Sequence, residues 1–136
     1  MAHEAALDFI RGNPRGVLAT HRRDGGIQLS PVLATVDGAS RLVISTREGA
    51  MKTLNLRRDP HAIFCAISER FFGEWHSVEG TVEILSLPEA MEPLIDYYRR
   101  AAGEHPDWDE YRRAMEKERR VVLRITVERS GPTRTG

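Results

Sequence analysis

The fold is decided by the segment from Ile44 to Pro60, which reads ISTREGAMKTLNLRRDP. Two hydroxyl residues, Ser45 and Thr46, follow an apolar strand end, and a helical pattern begins after Gly49 and stops before Pro60. Hydroxyls, free backbone N–H groups at a helix N-terminus and a lysine near the first turn all favour a bound anion. The segment therefore predicts either a phosphate site or a helix with a solvated basic face, and its residues alone weigh the two equally.

The charge of this segment stands out from that of the chain. Between Arg41 and Arg58 there is one acidic residue, Glu48, and the net charge is +4. The whole chain carries 20 basic and 20 acidic side chains, so its net charge is zero. Within the predicted helix, Asn55 lies three residues after Lys52, which places both on one face. The basic residues of the segment are Arg41, Arg47, Lys52, Arg57 and Arg58.

Composition narrows the class of protein. A length of 136 residues fits a single domain over residues 1–136. A balanced charge argues against nucleic-acid binding. The sequence has neither a signal peptide nor an apolar run of about 20 residues, so we expect a cytoplasmic protein with no membrane partner. The single cysteine, Cys65, lies in an apolar run and is expected to be an inert core residue.

Catalytic motifs do not emerge from the sequence. The five histidines lack the spacing of a zinc site, so no metal is predicted. There is no GxSxG, GxGxxG or GxxxxGK[ST] motif. Catalytic residues are therefore left unassigned, and the anion site carries the functional prediction.

Hydrophobic patterning predicts about six strands and four helices, an α+β architecture dominated by antiparallel strands. Turn signals at Asp24-Gly25-Gly26 and Asp37-Gly38 predict a meander that leads into the basic helix. In the strand Ile27–Val36, Pro31 predicts a bulge or an edge position. Gly80, within another strand, predicts a bulge or a close approach.

Longer helices are predicted late in the chain. A capping box at Ser86 opens one that runs to about Ala102, and Asp107 caps the next. The closing strand is Arg120–Val127, and residues 129–136 are expected to be disordered.

A second group of residues predicts a ring-binding site next to the anion site. Continued pairing through the Asp37-Gly38 turn would bring Ser30–Val32 next to Ser45–Arg47. Gln28 and Ser30 can hydrogen-bond a flat heterocycle. A polar-edged ring joined to a phosphate describes a flavin-type mononucleotide.

Four blocks of the chain resemble the flavin/deazaflavin oxidoreductase superfamily, which has a split barrel like that of pyridoxamine 5′-phosphate oxidase. The resemblance spans roughly residues 5–128. The fourth block contains AGEHPDWDEYRRAM and is similar to an actinobacterial branch that uses the deazaflavin coenzyme F420. The blocks are Gly16–Val32, Ser45–Pro60, Glu74–Ile84 and Tyr97–Ile125.

This resemblance implies a six-stranded antiparallel split β-barrel of the FMN-binding type, acting as a homodimer with a cofactor at the subunit interface. Trp75 would come from the other chain or, with equal weight, would be an aromatic of the barrel core or of the dimer core. Arg47 and Arg57 suit the phosphodiester and tail of the cofactor. The implied phosphate ligands are Ser45, Thr46, Lys52 and Asn55, and the implied ring contacts are Gln28, Ser30, Pro31 and Val32.

Three functions remain open on this basis. The leading one is an F420-dependent oxidoreductase that transfers hydride to a small enone-like or quinone-like acceptor. The alternatives are an FMN-dependent oxidase or reductase and a carrier that binds F420 without turnover. The closing strand lacks the histidine with which pyridoxamine phosphate oxidases grip substrate phosphate, which argues against vitamin B6 oxidation.

Overall fold

A computed structural model describes residues 3–132, which form four helices and one antiparallel sheet of seven strands. The helices are α1 (Glu4–Gly12), α2 (Met51–Arg58), α3 (Met91–Ala102) and α4 (Trp108–Glu118). The strands are β1 (Arg15–His21), β2 (Ile27–Leu33), β3 (Thr35–Val36), β4 (Leu42–Arg47), β5 (His61–Ile67), β6 (Trp75–Leu85) and β7 (Arg120–Gly131).

The sheet curls because its two ends are neighbours in sequence. The strand order is β2-β1-β5-β6-β7-β4-β3, so β2 and β3 lie at opposite ends of the ladder although only Ala34 separates them. The sheet must bend back on itself to satisfy this connection. The result is an α+β split barrel, as predicted.

The number of strands differs from the predicted six. The predicted single strand Ile27–Val36 is divided at Ala34, because β2 pairs with β1 whereas β3 pairs with β4. The Ala34 N–H donates to the Pro14 carbonyl at 2.8 Å, one residue beyond the last β1–β2 pair, Arg15 with Leu33. The predicted hairpin with β4 is therefore only two pairs long, and Ser30–Val32 pairs with Gly16–Leu18 instead.

Both predicted interruptions of strands are confirmed. Pro31 lies in β2, an end strand of the ladder, where one side of the backbone has no ladder partner. At Gly80 the register of β6 against β7 shifts, and a Cβ there would collide with the Thr126 carbonyl. Only glycine permits this approach.

Two apolar clusters stabilise the chain. The first fills the barrel, with side chains from one face of the strands and from α1 and α2; Leu18, Phe64 and Leu123 are fully buried there. The second packs α3 and α4 onto the outer face of β4 and β7, around Val122 and Leu94. Burial of this kind contributes about 25 cal/mol for each Å² of apolar surface removed from water.

The start of α3 and the end of β7 differ from their predictions. The capping box at Ser86 does not open α3, which begins at Met91 after a turn in which Ala90 N–H bonds the Ser86 carbonyl. By contrast, the Asp107 cap is confirmed, since its side chain accepts from Glu110 N–H at 3.1 Å. The tail predicted to be disordered is partly strand, because Arg129–Gly131 pairs with β6. Residues 133–136 lie outside the described residues.

Among residues 3–132, no helix has the length and apolar character needed to cross a membrane. In the same part of the chain, no group of three or more His, Cys, Asp or Glu side chains is placed to hold a metal ion.

Candidate functional site

The N-terminus of α2 presents free donors and a lysine. The cap residue, Ala50, supplies no side-chain cap, and the first helical bond runs from Leu54 N–H to the Ala50 carbonyl at 3.1 Å. The N–H groups of Met51–Thr53 thus have no acceptor within the helix. Lys52 is half-buried and takes part in none of the ion pairs found among residues 3–132.

Electrostatics at Lys52 favour an anion. Burial lowers the pKa of its ammonium group, and the positive charge of Arg120 lowers it further. Both effects disfavour the charged form, and an anion held between the two cations would reverse the second. Among the charges of the described chain, the one that shifts the pKa of Lys52 is therefore the repulsive charge of Arg120.

Arg120 is a site residue that sequence reasoning missed. It lies opposite Arg47 in the β4–β7 ladder and donates to Glu118 at 2.8 Å. Arg47 also approaches Glu118, at 3.6 Å. The hydrogen bond from Arg120 is the main reason why the pKa of Glu118 is lowered. Two arginines thus share one carboxylate, and this surplus of positive charge suits a phosphate.

Ser45 and Thr46 do not face the same ligand. Thr46 is buried towards the barrel interior, whereas Ser45 is half-buried on the opposite face of β4. This follows from strand geometry, because successive side chains point to opposite faces. Of the two, Ser45 shares its face with Arg47 and Arg120.

Tyr97, on α3, spans the split of the barrel. Its hydroxyl donates to the Leu33 carbonyl at the end of β2, at 2.8 Å. Burial raises the pKa of Tyr97, while a hydrogen bond from the Ser45 backbone lowers it. The hydroxyl bonds the last residue of β2, and the ring packs against the cluster that contains Val43 of β4, so Tyr97 lies between two strands that share no ladder.

Asn55 is engaged inside the protein. It is buried, and its Nδ2 donates to Thr20 Oγ1 and to Gln28 Oε1, both at 3.1 Å. Arg58 donates to its Oδ1 at 3.3 Å. The structure thus brings together Asn55 from the predicted phosphate group and Gln28 from the predicted ring group. Arg57 is turned away towards Glu48, to which it donates at 2.7 Å.

The predicted ring contacts divide between the two faces of β2. Gln28, Ser30 and Val32 lie on the more buried face, and Pro31 lies on the exposed face with Ile27 and Leu29. The Ser30 hydroxyl is buried and has no hydrogen-bond partner among residues 3–132. A buried hydroxyl without a partner is costly, so Ser30 stays a candidate for a hydrogen bond to a ligand.

The outer face of β2, β1 and β5 is largely apolar, and none of the helices within residues 3–132 buries it. Val17, Ala19, Ile63 and Cys65 are only half-buried there, and Leu29 is 66% exposed. We call this surface the bare face. Trp75, 42% exposed at the start of β6, belongs to its rim rather than to the core.

At one end of the bare face lies a polar cluster of His21, His61 and Glu79. His21 Nε2 lies 3.0 Å from His61 Nδ1, and His61 Nε2 lies 2.8 Å from Glu79 Oε2. Which ring nitrogens carry protons depends on the tautomers.

Of the two clefts described below, only the one before α2 includes a predicted cofactor residue, Arg47. A cleft of about 540 Å³ lies where α1 and α3 end, next to Pro14, Val17 and Ile67. A second cleft of about 420 Å³ lies before α2, between Arg47 and Arg119. Of these two clefts, only the second adjoins the anion site. The larger cleft therefore lies away from Lys52.

The curled sheet, its split between β2 and β4, and the helix that follows β4 define the class of FMN-binding split barrels. Within that class the chain belongs to the pyridoxamine 5′-phosphate oxidase family, whose family model matches residues 2–133.

Solved structures with the same fold agree with this assignment. A conserved hypothetical protein, Rv2991 from Mycobacterium tuberculosis, is 27% identical, with a TM-score of 0.77 over 96% of this chain and 82% of its own. An F420 reductase is 23% identical, with a TM-score of 0.69 over 94% of both chains. A heme binding protein from Mycobacterium smegmatis is 17% identical, with a TM-score of 0.68 over 92% of this chain and 52% of its own. Since these names differ in ligand, the fold by itself does not specify one.

Proposed function

We propose that the protein binds coenzyme F420 and transfers hydride from its reduced form to a small conjugated acceptor, such as an enone or a quinone. The observation that carries this proposal is Lys52, which is half-buried beside Arg120 and has no ion pair within residues 3–132. Together with the free N–H groups of α2, it supports binding of a phosphate group.

The residues present fit such a cofactor at both of its ends. Lys52, Arg120 and Arg47 would hold the anionic phosphodiester, and the unpartnered Ser30 hydroxyl would meet a polar ring edge. The choice of F420 over FMN is supported by the sequence resemblance of Tyr97–Ile125. That block provides Tyr97 and Arg120, which lie beside the anion site.

When bound in its reduced form, the deazaflavin supplies a hydride. The chain's own residues then have three tasks: to bind the phosphodiester, to orient the ring along β2, and to exclude water. Tyr97 serves the second task, since it holds the end of β2 against β4. A general acid or base is not assigned.

The proposal includes a homodimer in which the bare face meets a second copy. Leu29, Ile27 and Trp75 are exposed apolar side chains on this surface, and Met51 and Leu54 of α2 are also exposed. Exposed apolar side chains that lie together on one surface are typical of interaction sites. The second copy would contribute Trp75 as a wall of the cofactor site, and we place the enzyme in the cytoplasm.

Titration with purified F420 and FMN tests the cofactor. We expect F420 to bind with micromolar affinity and FMN to bind weakly. Reduced F420 is then mixed with the protein and a panel of enones and menadione, and its oxidation is followed by absorbance. Protein that purifies yellow with FMN would contradict the proposal, and tight F420 binding without oxidation by any acceptor would indicate a carrier.

Replacement of Lys52 by Ala tests the anion site. We expect F420 binding to weaken by about 1–3 kcal/mol, the range for a charge-assisted hydrogen bond, with little change in thermal stability. Lys117, the only other lysine of the chain, lies exposed on α4 and provides the matched control Lys117→Ala. Unchanged binding in Lys52→Ala with a lowered melting temperature would make Lys52 a structural residue.

A further inference from the structure

A separate cleft lies between the end of α1, the edge strand β3 and the last turn of α3. Its volume is about 330 Å³. The charged residues that line it are both basic, Arg11 and Arg100. The remaining lining residues are Ile10, Pro14, Ala34, Thr35, Val36 and Ala101. None of them belongs to the proposed cofactor site.

Thr35, one of the residues that line this cleft, has a buried hydroxyl group. The residue is only 6% exposed, and its hydroxyl has no hydrogen-bond partner among residues 3–132. Thr35 lies opposite Val43 in the β3–β4 pair, and Val43 packs under α3. Because paired residues point to the same face, the Thr35 side chain also points towards α3, where Arg100 is located.

Both arginines have N–H groups that their ion pairs do not engage. Arg11 donates through Nη1 to Asp8 at 2.6 Å, and Arg100 donates through Nε to Asp96 at 2.7 Å. A guanidinium group has five N–H donors in a planar fork that suits carboxylate and phosphate oxygens. Each ion pair is at the surface and leaves the other nitrogens available.

Helix dipoles account for only part of this arrangement. Arg11 and Arg100 lie in the last turns of α1 and α3, where a cation interacts favourably with the helix C-terminus. Dipoles do not provide a partner for the buried Thr35 hydroxyl. A ligand oxygen in the cleft would give that hydroxyl a partner and would accept from the guanidinium nitrogens that Asp8 and Asp96 do not use.

We propose that this cleft binds a small oxyanion, a carboxylate or a phosphate group, through Arg11, Arg100 and the Thr35 hydroxyl. The site is independent of the cofactor proposal, since it shares no residue with it. Its ligand is either a free small anion or a carboxylate or phosphate group of a larger metabolite.

Thr35→Val provides the most direct test, because valine has the same shape without the hydroxyl. Without added anion, we expect the Thr35→Val variant to melt at the same or a higher temperature than the wild type, since an unpartnered buried hydroxyl is removed. With inorganic phosphate or succinate at constant ionic strength, the wild type should gain thermal stability in a saturable manner, and Thr35→Val should gain less. Comparing the two anions distinguishes a phosphate from a carboxylate ligand.

Affinity measurements on the full chain complete the test. In titrations followed by NMR, Arg100→Gln and Arg11→Gln should each weaken binding by about ten-fold, as expected when a charge-assisted hydrogen bond is lost. Arg112→Gln, an exposed arginine on α4 outside the cleft, is the control and should bind as the wild type does. Parallel titrations of Lys52→Ala separate this cleft from phosphate bound at α2.

Two results would overturn the proposal. One is a stability gain that is equal in the wild type, Thr35→Val and Arg100→Gln, which would reflect general screening of charge. The other is the absence of any saturable shift with either anion, which would mean that only water meets the Thr35 hydroxyl.

Discussion

The two halves of the outer sheet surface differ in whether helices cover them. Over β4 and β7, α3 and α4 bury Val43 and Val122 almost completely. Over β2, β1 and β5, the bare face leaves comparable aliphatic side chains half-buried or exposed. Both halves carry apolar side chains on the outer face of their strands, so the difference lies in what the chain supplies to cover them. The covered half is completed within one chain, and the bare half is the surface on which we place a second copy.

The largest expected effect concerns the covered half. Leu94, on α3, is fully buried against the sheet. Replacing it with Ala should lower the free energy of unfolding by about 2–5 kcal/mol, through lost burial and a cavity. Urea denaturation measures this change. A loss below about 1 kcal/mol would mean that α3 contributes little to the covered half.

An intermediate effect is expected at high pH, also in the covered half. The Tyr111 hydroxyl donates to the Leu94 carbonyl at 2.9 Å, and burial raises the pKa of Tyr111 from 10.0 to about 12. The unfolded chain therefore loses this proton first. The stability contribution is complete below pH 10 and is lost as the pH rises towards 12.

Denaturation curves across that pH range, recorded for the wild type and Tyr111→Phe, check the sign. The wild type should lose stability more steeply than Tyr111→Phe. Tyr98→Phe is a suitable control, because Tyr98 lies in the same aromatic cluster. Equal slopes for the wild type and Tyr111→Phe would contradict the assignment.

The smallest effect on the fold is expected in the bare half. Leu29→Asp replaces a side chain that is 66% exposed. The stability of the isolated chain should change by no more than about 0.5 kcal/mol. Light scattering after size exclusion should nevertheless show a dimer for the wild type and a monomer for the variant. A dimer that survives this substitution would place the second copy elsewhere.

Local signals in the sequence predicted much of this fold. The turns, the Asp107 cap, the edge position of Pro31 and the close approach at Gly80 each depend on a few neighbouring residues, and all are found in the structure. The division at Ala34 was not predicted, because it depends on which distant strand each half pairs with. The prediction that a capping box at Ser86 opens α3 was wrong for a similar reason. The first residue of a helix depends on its packing against the sheet as well as on the local sequence.

The candidate site combines residues that the sequence predicts with one that it does not. The place of Lys52 near the start of a helix predicts an anion ligand, and its role stays a prediction. Arg120 was missed because it reaches Lys52 only through the pairing of β7 with β4, some 70 residues away in sequence. Strand alternation could have separated Ser45 from Thr46, and Pro31 from Ser30. The hydrogen bonds that engage Asn55 join α2 to β1 and β2, and no local pattern contains them.

The position of β7 has a consequence for synthesis. This strand is the last one described, yet it lies between β6 and β4 in the middle of the ladder. Until Arg120–Gly131 has emerged from the ribosome, β4 and β6 each keep an edge whose N–H and C=O groups lack partners. Such edges attract strands of other chains. The nascent protein therefore stays exposed to aggregation until nearly all of the described chain is made, and a chain shortened before residue 120 should be insoluble rather than merely less stable.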